Sequence, residues 1–157
     1  MAGSSIRGLV ALERKLNRLP QVALDEMRAA MAESADEIVA MAKSLVSVDD
    51  GELRDSIGWT WGKVPKGALT LGKVARSQIG GGLTATVYAG NSKAYYARWV
   101  EFGTAQHVNG GLFAGSEHPG TQARPFFYPA FRANRKSAKR RIRAAQRLAA
   151  KQVAAGK

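Results

Sequence analysis

With 157 residues and 45% hydrophobic content, the chain can fill one core and not two, so residues 1–157 read as a single domain. The absence of cysteine excludes disulfides, thiol nucleophiles and thiolate metal sites, and no stretch approaches the ~20 apolar residues of a membrane span. The expectation is a soluble protein with no cleaved leader and no membrane partner. Its net charge of +12 is unevenly placed: residues 1–117 hold 13 Lys or Arg against all 12 Asp or Glu, whereas residues 118–157 hold 11 Lys or Arg and no acid. A near-neutral body therefore carries a cationic tail, which points to a negatively charged partner.

Ile6, Leu9, Val10 and Leu16 recur at helical steps, predicting a short first helix that ends at Leu19 and Pro20. Pro20 can open a second helix, because a first-turn residue needs no amide hydrogen. Leu24, Met27, Met31, Ala35, Ile38, Ala42 and Leu45 then hold a near-heptad apolar stripe, which reads as core. These helices form the N-terminal part, residues 1–48.

Residues 49–125 change pattern. Asp49-Asp50-Gly51 signals a turn, and Glu52 to Ser56 suits one helical turn. Bulky residues alternate in Ile57-Gly58-Trp59-Thr60-Trp61-Gly62 and again from Leu83 to Ala89, predicting two strands that can pair antiparallel. Between them, residues 62–82 contain six glycines and no acid, the composition of a mobile loop or of a long hairpin that orders on assembly. Asn91-Ser92 can cap a short helix carrying Tyr95, Trp99 and Phe102 on one side as a compact aromatic anchor, with Gly103 ending it. Residues 104–124 return to glycine and polar residues and read as a second flexible loop.

From Phe126 to about Val153 the pattern is a long helix with Pro129 in or before its first turn. Arg132, Lys136, Lys139, Arg140, Arg143, Arg147 and Lys151 fall on one face; Phe131, Ala138, Ile142, Ala145, Ala149 and Val153 fall opposite, with Asn134, Arg135 and Arg141 at the margins. So many like charges at three- and four-residue spacing destabilise an isolated helix, which suggests compensation by a partner, either an acidic neighbouring surface or nucleic acid. The whole reads as α+β: N-terminal helices, a small antiparallel sheet with long loops, a short aromatic helix and a basic C-terminal helix.

Chemical motifs are lacking. His107 and His118 lie near Glu101 and Glu117 but show no metal-ligand spacing. There is no Gly-x-Ser-x-Gly elbow, and Gly80-Gly81-Gly82 lacks the Lys-Ser/Thr of a phosphate loop. Asp49, Asp50, Glu52 and Asp55 do not have calcium-loop spacing and read as capping residues of a solvated turn. No catalytic residue, metal site or cofactor is expected. Glu101 is expected to play a structural part, pairing with Arg98, with Arg54 or with a neighbouring subunit.

Three segments carry a resemblance. Asp50-Gly51-Glu52-Leu53-Arg54-Asp55-Ser56-Ile57 is similar to a Thr-Gly-x-Leu-Arg-x-Ser-Ile turn, with Asp50 in place of Thr. Tyr96-Ala97-Arg98-Trp99-Val100-Glu101-Phe102-Gly103-Thr104 is similar to Tyr-Ala-x-x-Val-Glu-Phe-Gly-Thr, and Ala123 to Phe131 resembles a Pro-Phe-x-x-Pro-Ala lead into the last helix. In this order the segments resemble the small tail-component family of lambda-like siphophages, which supplies tail-completion and head-tail joining proteins. The resemblance implies a non-enzymatic virion protein of the tail or neck, assembled in the host cytoplasm as a ring, commonly of six copies. Its implied partners are its own copies, the head connector and the tail-tube protein, with DNA in the channel a further candidate. Gly51, Leu53, Ser56, Tyr96, Trp99, Glu101, Phe102, Gly103, Pro125, Phe126 and Pro129 are the implied structural positions. A nucleic-acid-binding accessory protein acting through the basic helix is the alternative.

Overall fold

The computed structural model describes residues 9–76 and 84–155. Helix α1 (Leu9–Leu45) runs unbroken through Pro20, so the two helices expected on either side of that residue are one. An internal proline forfeits one backbone hydrogen bond and crowds the carbonyl four residues back, a cost of ~3 kcal/mol. Packing of the rest of a 37-residue helix offsets a cost of that size. Met27, Met31, Ala35, Ile38 and Ala42 are buried as the stripe predicts, but Val46 rather than Leu45 takes the last inward place. Ile6 and Leu83 lie outside the described residues.

Gly51, at φ 87°, turns the chain into the single-turn helix α2 (Glu52–Asp55). Asp50 Oδ1 accepts the Glu52 amide at 3.0 Å, supplying the cap. The buried Ser56 hydroxyl donates to Leu53 O at 2.6 Å and accepts the Gly90 amide at 3.0 Å. One side chain thus ties this turn, just ahead of the sheet's first strand, to the residue that follows its last.

Strands β1 (Gly58–Thr60), β2 (Leu69–Arg76) and β3 (Thr84–Ala89) form an antiparallel sheet in the order β1-β3-β2. Trp59 pairs with Val87 on one side of β3, and Leu69 pairs with Ala89 on the other. Ala85, Val87 and Ala89 are buried in alternation. Residues 77–82 lie outside the described residues, and the rest of the stretch 62–82 is not simply a mobile loop, because β2 makes an arm of a hairpin. Its alternation breaks at Gly72-Lys73, where the ladder itself shifts register on both sides of Lys73, so no clean period of two marks it.

Asn91 Oδ1 accepts the amides of Lys93 and Ala94 at 2.8 and 2.9 Å, in a turn that precedes α3 (Ala97–Phe102). That helix starts later than its aromatic residues suggest. Gly103 ends it at φ 71°, and a Cβ there would lie 2.5 Å from Thr121 O, so only glycine fits. Residues 104–124, expected to be flexible, are an ordered arm: β4 (His107–Val108) pairs with β5 (Glu117–His118) around a 3-10 turn at Gly111–Phe113. The pairing is carried by backbone bonds such as Asn109 N to Ser116 O at 2.8 Å and Thr104 N to Thr121 O at 2.9 Å. Strands of two residues leave no hydrophobic period to read.

Helix α4 (Phe127–Ala154) runs antiparallel along α1, with Asn134 meeting Met41, Arg141 meeting Glu37 and Gln152 meeting Glu26. The core lies where α1, the inner face of the sheet and the start of α4 converge, around Ile38, Val87, Phe126 and Phe127, all fully buried.

Candidate functional site

The first turn of α4 exposes amides that have no partner within the helix. Glu101, buried at 3% exposure, supplies one: its Oε2 accepts the amides of Phe126 and Phe127, each at 2.8 Å, and its Oε1 accepts that of Tyr128 at 3.0 Å. A carboxylate at a helix N-terminus is also favoured by the helix dipole. The pairing of Glu101 with Arg98 or Arg54 is thus corrected: three amide hydrogens, rather than a guanidinium, satisfy it. Pro129 sits in the same turn, where its missing amide costs nothing.

Beyond this cap α4 has two unlike faces. Ala130, Ala138, Ala145 and Ala149 are buried against the body, with Phe131 and Ile142 half-buried beside them. The amide side chains also turn inward: Asn134 Nδ2 donates to Ala130 O at 2.9 Å, and Gln152 Nε2 donates to Glu26 Oε1 at 3.0 Å. Arg141, marginal in the helical pattern, is the clamp between the helices. It donates to Ser34 Oγ at 2.9 Å, to both oxygens of Glu37, and reaches Glu33 at 3.1 Å. The Glu37 hydrogen bond pushes the Arg141 pKa further up against the opposing effect of partial burial, with the charges of Glu37 and Glu33 adding to it. Among the described residues Arg141 is the one α4 cation in an ion pair. Arg132, Lys136, Lys139, Arg140, Arg143, Arg147 and Lys151 all point to solvent.

The aromatic residues of α3 do not anchor the core. Tyr95, Trp99 and Phe102 are each about half exposed, while Ala97 and Glu101 face inward. A six-residue helix ending at a glycine has room to bury only one stripe, and the cap on α4 occupies it. Tyr95 and Trp99 stack edge to face at 5.5 Å, and Phe102 meets Tyr128 at 5.6 Å. Trp99 walls a cleft of about 580 Å³ shared with Thr104, His107, His118 and Thr121 at the base of the arm. At the arm's tip Leu112 is 99% and Phe113 73% exposed.

His107 and His118 are partners across the arm, their rings stacked at 4.9 Å. His107 Nδ1 faces the Ala105 carbonyl at 3.0 Å and so carries a proton, whereas His118 Nδ1 accepts the Gly120 amide at 3.0 Å. Neutral His118 therefore has its proton on Nε2, and only one of the two outer nitrogens offers a lone pair. This is a stacked pair rather than a chelating one. Among the described residues no three His, Asp or Glu cluster as metal ligands would.

A second cleft, of about 520 Å³, lies between the end of α1 and α3, lined by Gly51, Leu53, Tyr96 and Val100 under a rim of Asp49, Asp50, Arg54 and Arg124. Burial raises the Tyr96 pKa, and Asp50, Glu52 and Asp49 raise it further. The motif residues Gly51, Leu53 and Tyr96 thus line one joint, with Ser56 bonded to Leu53 O, and Glu101 and Phe126 meet at a second, the cap of α4, with Pro129 in the same turn. Pro125, exposed, leads into the second.

A family model described as "Bacteriophage HK97-gp10, putative tail-component" matches residues 11–103, more than half of the chain. The chain belongs to the HK97-gp10-like family. No curated protein and no solved structure matches it. Membership makes the chain a bacteriophage tail component, a structural protein located in the virion. The HK97-gp10-like match takes in α1, the three-stranded sheet and α3 up to the Gly103 cap; the arm and α4 follow it in the chain.

Proposed function

We propose that this tail component is a ring-forming subunit of the neck, one domain in which residues 1–157 act together, and that it completes the tail or joins it to the head. Six copies are the expected count; the tail-tube protein and the head connector are the expected partners, met during assembly in the host cytoplasm.

The observation that carries this reading is the arm. A subunit of net charge +12 meets its own copies most easily where few cations confront one another. Between Phe102 and Ala123 the sequence contains no Lys or Arg and one acid, Glu117. That same stretch presents Leu112 and Phe113 to solvent at its tip and helps form the Trp99 cleft at its base. Tip and cleft are different patches, so a contact between them is head-to-tail, and head-to-tail contacts form a ring when the repeated rotation closes and a filament when it does not.

The test is the mass of the purified protein by light scattering, together with electron microscopy of particles assembled without it. A multiple of the 16.8 kDa chain mass, and tailless heads beside normal or overlong tails, are expected. A monomer at every concentration, with intact joined particles in its absence, overturns the reading.

A further inference from the structure

We infer that the outward face of α4 binds the phosphate backbone of double-stranded DNA without regard to sequence. The fold treats its cations in two ways. Arg141 is turned inward and given two carboxylates, whereas the seven residues from Arg132 to Lys151 on the opposite face receive none. Residues 118–157 contain no acid to offset them. Holding so many like charges on one rigid helix is unfavourable until a polyanion neutralises them.

The geometry suits phosphates better than base edges. Of the side chains with mixed donor and acceptor capacity, Asn134 and Gln152 are bonded on the inner side of the helix, Ser137 donates to Asn134 O, and the exposed Gln146 reaches Met27, so long flexible cations dominate the outer face. Lys136, Lys139, Arg140, Arg143 and Arg147 ring a shallow groove of about 470 Å³ with Ala144 among its walls. A methyl group there lets a sugar-phosphate strand come close to the helix, with cations on both sides. From Arg132 to Lys151 the stripe is about 28 Å long at 1.5 Å per residue, the span of roughly eight base pairs.

An acidic protein is the lesser fit. Protein interfaces rely on aromatic and apolar anchors and are depleted in lysine, and among the described residues of this helix the one large exposed apolar side chain is Leu148. The inference is independent of the ring reading, since a monomer presents the same face.

Fluorescence anisotropy with labelled duplexes of ~30 base pairs in two unrelated sequences tests it, using the full chain. With three to five phosphates engaged, log K is expected to fall against log salt with a slope of about −3 to −5, roughly a hundredfold loss between ~50 and ~200 mM, equally for both sequences. Ala144→Glu keeps every cation but places a carboxylate among them, and a loss of at least about tenfold is expected. Replacing Lys136, Lys139, Arg140 and Arg143 by Ala is expected to cost far more than replacing Lys63, Lys66, Lys93 and Arg98, which removes the same charge from elsewhere. The inference is overturned by no binding at low salt, by equal losses in the two quadruple variants, by strong preference for one duplex sequence, or by poly-glutamate binding more tightly than DNA. Light scattering on the same samples separates this result from ring formation.

Discussion

Glu101 Oε2 holds the amide of Phe127 at 2.8 Å across 26 residues of sequence, so a residue of α3 fixes where α4 begins. Three amides lose their acceptor in Glu101→Ala, two of them on buried residues. A loss of about 2–4 kcal/mol is expected, read as a shift in the urea midpoint. Glu101→Gln is expected to fall between the two, because a carboxamide oxygen can replace only part of what two carboxylate oxygens accept. A midpoint unchanged in the Ala variant would show that the cap contributes nothing in solution.

The clamp between α1 and α4 is expected to be weaker than its number of contacts suggests. Glu33 and Glu37 are substantially exposed, so water screens both pairs. Arg141→Met should cost about 1–2 kcal/mol and less at high salt. Ser34 stays satisfied in that variant, since its hydroxyl donates to Ala30 O at 2.7 Å. A cost independent of salt would mean that lost packing of the arginine stem, rather than its charge, dominates.

Tyr96 gives a pH signature. Its folded pKa is raised above the usual 10.0, so the unfolded chain releases this proton first as pH climbs. The stabilising contribution is intact below pH 10.0 and declines as pH rises from there toward the folded value. Absorbance titration should find a late-ionising phenol in the wild type that is missing from Tyr96→Phe. Denaturation on both sides of that pH should show a steeper alkaline loss in the wild type than in the variant.

Leu112→Ser with Phe113→Ser is expected to leave the monomer's stability within about 0.5 kcal/mol, because neither side chain is packed. Ring mass, or incorporation into particles, should fall sharply. Protection of the arm from protease should appear in assembled wild type alone. Full assembly by this variant would remove the arm from the subunit contact.

Much of this fold was legible where period is the whole signal. The stripe from Met27 to Ala42, the alternation in β3 and the two faces of α4 follow from which residues turn inward at 3.6- or 2-residue spacing. What eluded that logic had no period. The bulged ladder of β2 scrambles its alternation around Lys73, the arm is held by backbone bonds, and α1 runs through Pro20 where a proline usually marks a boundary. Of the positions taken from the family resemblance, Gly51, Ser56, Glu101 and Gly103 have local parts that no periodicity could announce. Glu101 looked like an ion-pair partner because its amide partners lie 25 to 27 residues away. Tyr95, Trp99 and Phe102 looked like a compact anchor because sequence shows size and not direction, and they are half exposed. Arg141 looked marginal on a helical projection, and only the presence of Glu33, Ser34 and Glu37 on the facing helix makes it the clamp.

The inward face of α4 is built largely from alanines, Ala130, Ala138, Ala145 and Ala149, beside which Asn134, Arg141, Gln146 and Gln152 reach Met41, Glu37, Met27 and Glu26 of α1. Side chains that stop at Cβ have no rotamer to change, which stiffens the seam where they lie. In a particle built from repeated subunits, that stiffness works as a machinist's tolerance. If copies assemble as proposed, the same seam gives the cationic face of α4 one position relative to the body in each of them.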